Sequence, residues 1–360
     1  MNELTFLAVT DSLSETARKT PDKTAVICED KAYSYAELDK KSDLLAAALC
    51  SADIKIERES YIALILNRSL FVPVTMLGIL KTGAAFIPFT PDTPAERLRY
   101  CIKDAGCRIV ITTEKLKSEK PELQDSSYLL LTVEELLSRA ERESLKRPCV
   151  QIQEKDAAMC IFTSGSTGKP KGVISEHGAI FKCLGTGLFA KRTYKDADCI
   201  CILAPIVFIM FYPGFYSTIY SGLEYYLNTE SELKDLKRFS GNIYRHKIEF
   251  MAGVPSVFDM LFSTASSDEL RCIKTVSMGG ESFTFKLVEK LHEKNPAMTI
   301  IQGYGATETL FTAAKEIREE NDLYSNGLPY LSNAYITDES GNEVADGEKG
   351  ELLIQSDFLA

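Results

Sequence analysis

The run Phe162-Thr163-Ser164-Gly165-Ser166-Thr167-Gly168-Lys169-Pro170-Lys171-Gly172, set directly after an apolar segment, is the stretch of this sequence best suited to chemistry. Its small residues let backbone amides approach phosphate oxygens, its hydroxyls add donors, and Lys169 supplies compensating charge. Thr163, Ser164, Gly165, Ser166, Thr167, Gly168 and Lys169 therefore read as a polyphosphate cradle. It is not a Walker A loop, because Gly165 and Gly168 are too close together and proline follows Lys169 in place of Ser or Thr. No Ser-His-Asp pattern accompanies it.

Such a loop needs rigid elements beneath it. Ser34-Tyr35-Ala36-Glu37 has the spacing of a capping box and predicts a helix to about Leu49, with Leu38, Leu45 and Leu49 on or near one face. A buried strand is expected over 61–66, a helix over 70–81 ending at Gly83, and a strand over 108–112. Thr93-Pro94-Ala95-Glu96 repeats the capping logic, with Pro94 at the first helical position. Helices between short apolar strands give an α/β fold of βαβ units around largely parallel sheets. A second set of strands is read at 157–162, 273–278 and 299–302, and this second sheet is expected to carry the chemistry. The charged stretch 114–155 reads as surface structure. Beyond Asn321, short strands joined by turns predict a smaller β-rich lobe. The approximate division is 1–155, 156–320 and 321–360.

Composition excludes several classes. A formal net charge of -10 over 360 residues lacks the basic footprint of a nucleic-acid platform. The 10 cysteines include no C-x-x-C pair, Cys199 and Cys201 being the nearest, and the 3 histidines lack zinc-site spacing. Reduced thiols and a cytoplasmic setting are expected, since the N-terminus shows no export signal. No charge occurs between Asp198 and Glu224, a span long enough for a membrane helix, but Pro205, Pro213 and Gly214 interrupt it. A buried strand, loop and helix are expected there.

The phosphate-loop string resembles that of the adenylate-forming superfamily, which includes acyl-CoA synthetases, luciferases and the adenylation domains of nonribosomal peptide synthetases. The resemblance extends along nearly the whole chain. Lys81-Thr82-Gly83-Ala84-Ala85-Phe86-Ile87-Pro88 and Pro91-Asp92-Thr93-Pro94-Ala95-Glu96-Arg97-Leu98 look like the early motif of peptide-synthetase adenylation domains. Gly279-Gly280-Glu281, Gln302-Gly303-Tyr304-Gly305-Ala306-Thr307-Glu308-Thr309 and Gly347-Glu348-Lys349-Gly350-Glu351-Leu352 come next, in the family's order. The implied fold is the family's large N-terminal domain. Tyr304 is then expected to stack on adenine, with Gly280, Glu281, Ser282 and Gly303 lining the base, Lys169 and Thr307 contacting phosphate, and Glu308 holding Mg²⁺. The implied reaction is attack of a carboxylate on the α-phosphorus of ATP, followed by loading onto the phosphopantetheine of a carrier protein.

The same matching places Phe208, Ile209, Met210, Pro213, Ala252, Ser277, Gly279, Gly303, Phe311 and Thr312 around the acid. In members that activate α-amino acids an aspartate pairs with the substrate ammonium; here that position aligns with Ile209, and its neighbours are uncharged as well. An unpaired buried ammonium costs several kcal/mol, so a keto, hydroxy, aryl or acyl acid is expected. The family continues past this lobe with a ribose-binding aspartate, a hinge and a mobile domain bearing a catalytic lysine, whereas this sequence ends at Ala360. Low activity alone is the expectation. A stand-alone acyl- or aryl-CoA ligase and a noncatalytic nucleotide-binding module stay open as alternatives, as does a small accessory protein as a further partner.

Overall fold

The computed structural model describes residues 5–54, 56–147, 149–164, 168–194 and 196–360. Along the chain the strands are β1 (Thr24–Cys28), β2 (Lys31–Ser34), β3 (Tyr61–Ile65), β4 (Ala85–Phe89), β5 (Ile109–Thr112), β6 (Leu129–Thr132), β7 (Ala157–Ser164), β8 (Pro170–Glu176), β9 (Cys199–Ile202), β10 (Glu224–Tyr226), β11 (Phe250–Gly253), β12 (Thr275–Met278), β13 (Thr299–Tyr304), β14 (Ala313–Glu316), β15 (Leu328–Pro329), β16 (Asn333–Thr337) and β17 (Glu351–Gln355).

They form two large sheets and one small one. The six-stranded sheet runs β6-β5-β3-β4-β7-β8, parallel except for β8. The nine-stranded sheet runs β15-β14-β13-β12-β11-β9-β10-β1-β2, with a parallel centre and antiparallel strands at both edges. Strands β16 and β17 pair by themselves as an antiparallel ribbon, the expected β-rich lobe.

Alternate strand residues face opposite layers. Ile62 and Leu64 of β3 join Ile200 and Ile202 of β9 in a central core shared by both large sheets, while Ala63 and Ile65 face one outer layer and Cys199 and Cys201 the other. Helix Phe71–Leu80 lies in this centre with nearly every residue buried. It closes tightly on helix Tyr35–Leu49, because a Cβ at Gly78 would stand 2.5 Å from Leu45 Cδ2. The Ser34 capping box is present: Ser34 Oγ accepts from the Glu37 amide at 3.2 Å and Glu37 Oε2 from the Ser34 amide at 2.8 Å.

Four sequence expectations change. The phosphate-loop strands β7 and β8 belong to the six-stranded sheet with β3–β6, while β1 and β2 from the N-terminal region complete the nine-stranded one; a boundary near residue 155 does not separate the sheets. The stretch 114–155 is more than surface, since β6 is an edge strand and helix Val133–Arg142 buries Val133, Leu136 and Ala140. Pro94 is the cap of helix Ala95–Asp104, not its first residue: its carbonyl accepts from the Leu98 amide at 2.9 Å. Thr93 does not cap that helix; its hydroxyl turns to Thr90 Oγ1 at 3.3 Å. The uncharged span after Asp198 folds as β9, a loop and helix Phe211–Ser221. Among the described residues no helix is long and apolar enough to cross a membrane.

Candidate functional site

The parallel strands β9, β11, β12 and β13 all end at one edge of the nine-stranded sheet, and the loops leaving them surround a cavity of about 620 Å³. In open α/β sheets this edge is where ligands bind. The loop after β9 brings Phe208, Ile209 and Met210, helix Phe211–Ser221 brings Pro213, β11 brings Ala252, β12 brings Ser277 and then Gly279, and β13 brings Gly303 ahead of Phe311. These residues, far apart in sequence, share one wall system.

Gly280, Glu281 and Tyr304 line the same cavity toward its mouth, where Tyr304 is 39% exposed. Close approach of two turns explains the glycines: a Cβ at Gly279 would stand 2.5 Å from the Gly303 carbonyl oxygen, and Gly280 has φ +81°. Glu281 is held by the start of helix Pro255–Thr264, its Oε2 accepting from the Ser256 amide at 3.4 Å. Glu281 is the sole carboxylate among the described lining residues, and no lysine or arginine is among them.

Two expected members stand elsewhere. Thr312 is 3% exposed and gives its hydroxyl to a contact with Thr309 Oγ1 at 2.7 Å, so it supports the wall from behind. Ser282 lines a neighbouring cavity of about 520 Å³ that meets the first at Glu281. In exchange, sequence reading missed Phe189, Thr193, Tyr194 and Phe250 in the lining. Burial pushes the Tyr194 hydroxyl's pKa up, and the hydroxyl lies 2.5 Å from Ser217 Oγ.

The phosphate-loop string joins β7 to β8, which pair so that Ser164 faces Pro170 and Thr163 faces Lys171. Gly165, Ser166 and Thr167 lie outside the described residues. Gly168 has φ +81°, and both it and Lys169 are exposed. Strand β8 packs against the turn Thr307–Thr309, whose flanking residues Gly305 and Leu310 line the cavity, so β8 and Glu308 lie close to it. From the early motif, Arg97 donates to the Phe162 carbonyl at 3.4 Å and braces the end of β7. The sequence carried that motif without revealing what it supports.

No cluster of three or more His, Cys, Asp or Glu capable of holding a metal occurs among the described residues. Mg²⁺ does not require one, because it keeps waters and binds through one or two carboxylates plus substrate phosphates. An exposed Glu308 beside the phosphate-loop hairpin fits that mode. Its main chain is fixed by the Ala360 amide, which donates to the Glu308 carbonyl at 2.8 Å.

Comparison with known proteins agrees with this geometry. The family described as AMP-binding enzyme matches residues 13–360. Gramicidin S synthase 2 of Brevibacillus brevis is 31% identical over 358 residues, covering 98% of this chain but only 8% of the synthase. Among solved structures, the Klebsiella oxytoca NpsA N-terminal subdomain in complex with 3-hydroxyanthranilyl-AMSN superposes with a TM-score of 0.84 at 22% identity, covering 99% of this chain and 87% of that one. NpsA-ThdA, an artificially fused adenylation-PCP di-domain from the same organism, gives 0.83 at 22% identity over 98% of this chain and 69% of the fusion. A parallel-strand edge carrying the cavity and a family match over nearly the whole length lead to one conclusion: this chain belongs to the AMP-binding enzyme family.

Proposed function

We propose that this chain binds ATP and a small carboxylic acid in the cavity and its mouth, and joins them as an acyl-adenylate for transfer to the phosphopantetheine thiol of a carrier protein. The observation that carries this reading is the continuity of one cavity from Ile209 and Phe311 at its apolar end to Glu281 and Tyr304 at its mouth, beside the Thr307–Thr309 turn.

In the reaction a carboxylate oxygen of the acid forms a bond to the α-phosphorus, and the bond from that phosphorus to the bridging oxygen breaks. Pyrophosphate leaves with the electron pair. Tyr304 stacks on adenine, Gly280 and Glu281 line the base, and Lys169 with Thr307 holds the phosphates in line with the acid. Glu308 would hold Mg²⁺, which would supply charge neutralisation at the phosphate oxygens. Carrier loading is supported by the kinship with gramicidin S synthase and by the adenylation-PCP fusion that shares this fold.

The acid is one without an ammonium on its α-carbon. By the family matching Ile209 takes the position of the counter-charge, the lining residues around it are uncharged, and Glu281, the one lining carboxylate among the described residues, is the residue this reading gives to the nucleotide. The test is the shift in melting temperature with nonhydrolysable acyl-adenosine sulfamates bearing amino, keto, hydroxy, aryl and fatty acyl groups, since a ligand of the native state raises stability with its occupancy. Uncharged acyl groups are expected to stabilise most. Greater stabilisation by aminoacyl members removes the acid preference, and no shift with any member of a folded protein removes the adenylation reading.

A further inference from the structure

The helical segment between β8 and β9 is broken. Residues His177–Ile180 are α-helical, Phe181–Gly185 widens into a single π-helical turn, Gly187 takes φ +73°, and a short helix restarts over Leu188–Thr193. Both glycines are required by this path. A Cβ at Gly185 would run into the Phe181 ring, and Gly187 holds a backbone conformation that side chains resist. Single π-turns inside helices recur at functional sites.

The arm beyond the break faces the cavity. Phe189, Thr193 and Tyr194 all line it. Their rings extend an aromatic wall: Phe189 meets Phe311 edge-on at 5.0 Å and Tyr194 at 5.8 Å, and Tyr194 meets Phe250 at 4.7 Å. Edge-to-face contacts of this kind hold each ring in place and leave a firm apolar surface.

Within that surface two hydroxyls are uncommitted. Thr193 and Ser277 are half-buried and line the cavity, and their hydroxyls make no hydrogen bond to protein among the described residues. Tyr194 differs, because its hydroxyl already meets Ser217. A few polar groups in an otherwise apolar pocket fix a ligand's orientation and reject analogues that leave them unpaired. Neither hydroxyl compensates a full charge, and the one lining carboxylate among the described residues, Glu281, is the residue the adenylation reading gives to the nucleotide.

Building on the adenylation reading, we infer that the acid has an uncharged apolar body seated against the Phe189–Tyr194–Phe250 wall and carries one oxygen substituent, a hydroxyl or a carbonyl, that hydrogen-bonds to the hydroxyl of Thr193 or of Ser277. The broken helix is thus a specificity element alongside the strand-end residues. The oxygen belongs to an aromatic ring or to an α-keto or α-hydroxy aliphatic chain, and the experiment separates these sources.

The experiment is calorimetric titration of this chain with matched acyl-adenosine sulfamates: benzoyl against its hydroxybenzoyl isomers, and a branched aliphatic acyl group against its α-keto and α-hydroxy forms. At least one oxygenated member is expected to bind about tenfold tighter than its parent, the worth of one well-made hydrogen bond. That ratio is expected to fall toward unity in Thr193→Val or Ser277→Ala, both of which preserve shape. Equal or tighter binding of the parent in both series overturns the inference, as does a ratio that survives both substitutions. Adenosine sulfamate without an acyl group is the control. If it binds while the ratio is absent, only this inference falls; if it does not bind, the adenylation reading falls and takes the inference with it.

Discussion

The Ala360 amide donates to the Glu308 carbonyl at 2.8 Å, and two residues earlier Phe358 is 3% exposed in the central core that also holds Leu310. The stretch after β17 thereby fixes the turn from which the Glu308 side chain projects. Glu308→Gln keeps that backbone and removes the charge. The affinity gained for ATP on adding Mg²⁺ is expected to drop by at least about tenfold, the loss associated with one charged contact. Titrations with and without Mg²⁺ check this, and an unchanged gain would remove Glu308 from the metal site.

Tyr304 is 39% exposed at the cavity mouth, so its ring contributes little to the core and much to any base laid against it. Tyr304→Ala is expected to weaken adenosine-containing ligands by roughly 1–3 kcal/mol, the usual worth of an aromatic platform under a base. Tyr304→Phe should retain most of the affinity. Equal losses in both variants would point to the hydroxyl instead of the ring.

Capping at Ser34 and the motif strings were legible because each is set by neighbours in sequence. Strand order was not: β7 joins β4, and β1 joins β10, through pairings that no local pattern encodes. The stretch 114–155 was read as surface because its charges mask Leu129–Thr132, four residues too short to show a period, although Val133, Leu136 and Ala140 had helical spacing in view. Thr93 misled for a different reason. A hydroxyl three residues before a carboxylate marks a cap only if the chain turns there, and the extended Pro94, φ -54° and ψ 135°, moves the cap one residue on. Of the cavity, the strand-end residues were recovered through family resemblance, whereas Phe189 and Thr193 depended on a helix break at Gly185-Thr186-Gly187, where the glycines signal a break but not the direction in which the chain restarts.

Ile209 is half-buried beside Met210 with no charge in the adjoining lining. Ile209→Asp introduces a carboxylate and is expected to invert the sulfamate preference, weakening uncharged acyl groups and admitting aminoacyl ones. An ammonium then pairs with the new charge in place of entering an apolar site. Binding constants for the two classes before and after substitution give the answer; an unaltered order would mean that the acid's α-carbon lies elsewhere.

Gly279 approaches the Gly303 carbonyl too closely for any side chain. Gly279→Ala must push β12 and β13 apart at the cavity wall, with a cost typical of overpacking, about 1–3 kcal/mol. Loss of sulfamate binding is expected to exceed the loss of stability. Parallel urea unfolding and ligand titration separate the two.

His177 is buried, with Nε2 lacking a partner among the described residues, and burial pulls its pKa down to about 4 despite the opposing pull of Asp156. The folded protein keeps the ring neutral while the unfolded chain takes up a proton below about 6.5. Between those values the unfolded state binds more protons. Stability from this group is therefore complete above about pH 6.5, declines as pH falls toward about 4, and levels off below. The decline is expected to reach up to roughly 3 kcal/mol and to be absent in His177→Leu, measured by urea unfolding across that range. Parallel pH curves for both proteins would sink the assignment.

Because Val26 of β1 is hydrogen-bonded in register with Tyr225 of β10, the nine-stranded sheet cannot close its N-terminal edge until about 200 further residues have been made. The six-stranded sheet in turn waits for β7 and β8. During synthesis, β1 and β2 must remain unpaired on that side while the other sheet assembles past them, an interval in which an exposed strand edge invites intermolecular pairing. Because the six-stranded sheet is encoded between β2 and β9, the two sheets form a single heritable unit: a recombination junction after β8 would leave the six-stranded sheet whole but strip β1 and β2 from the edge of the nine-stranded one.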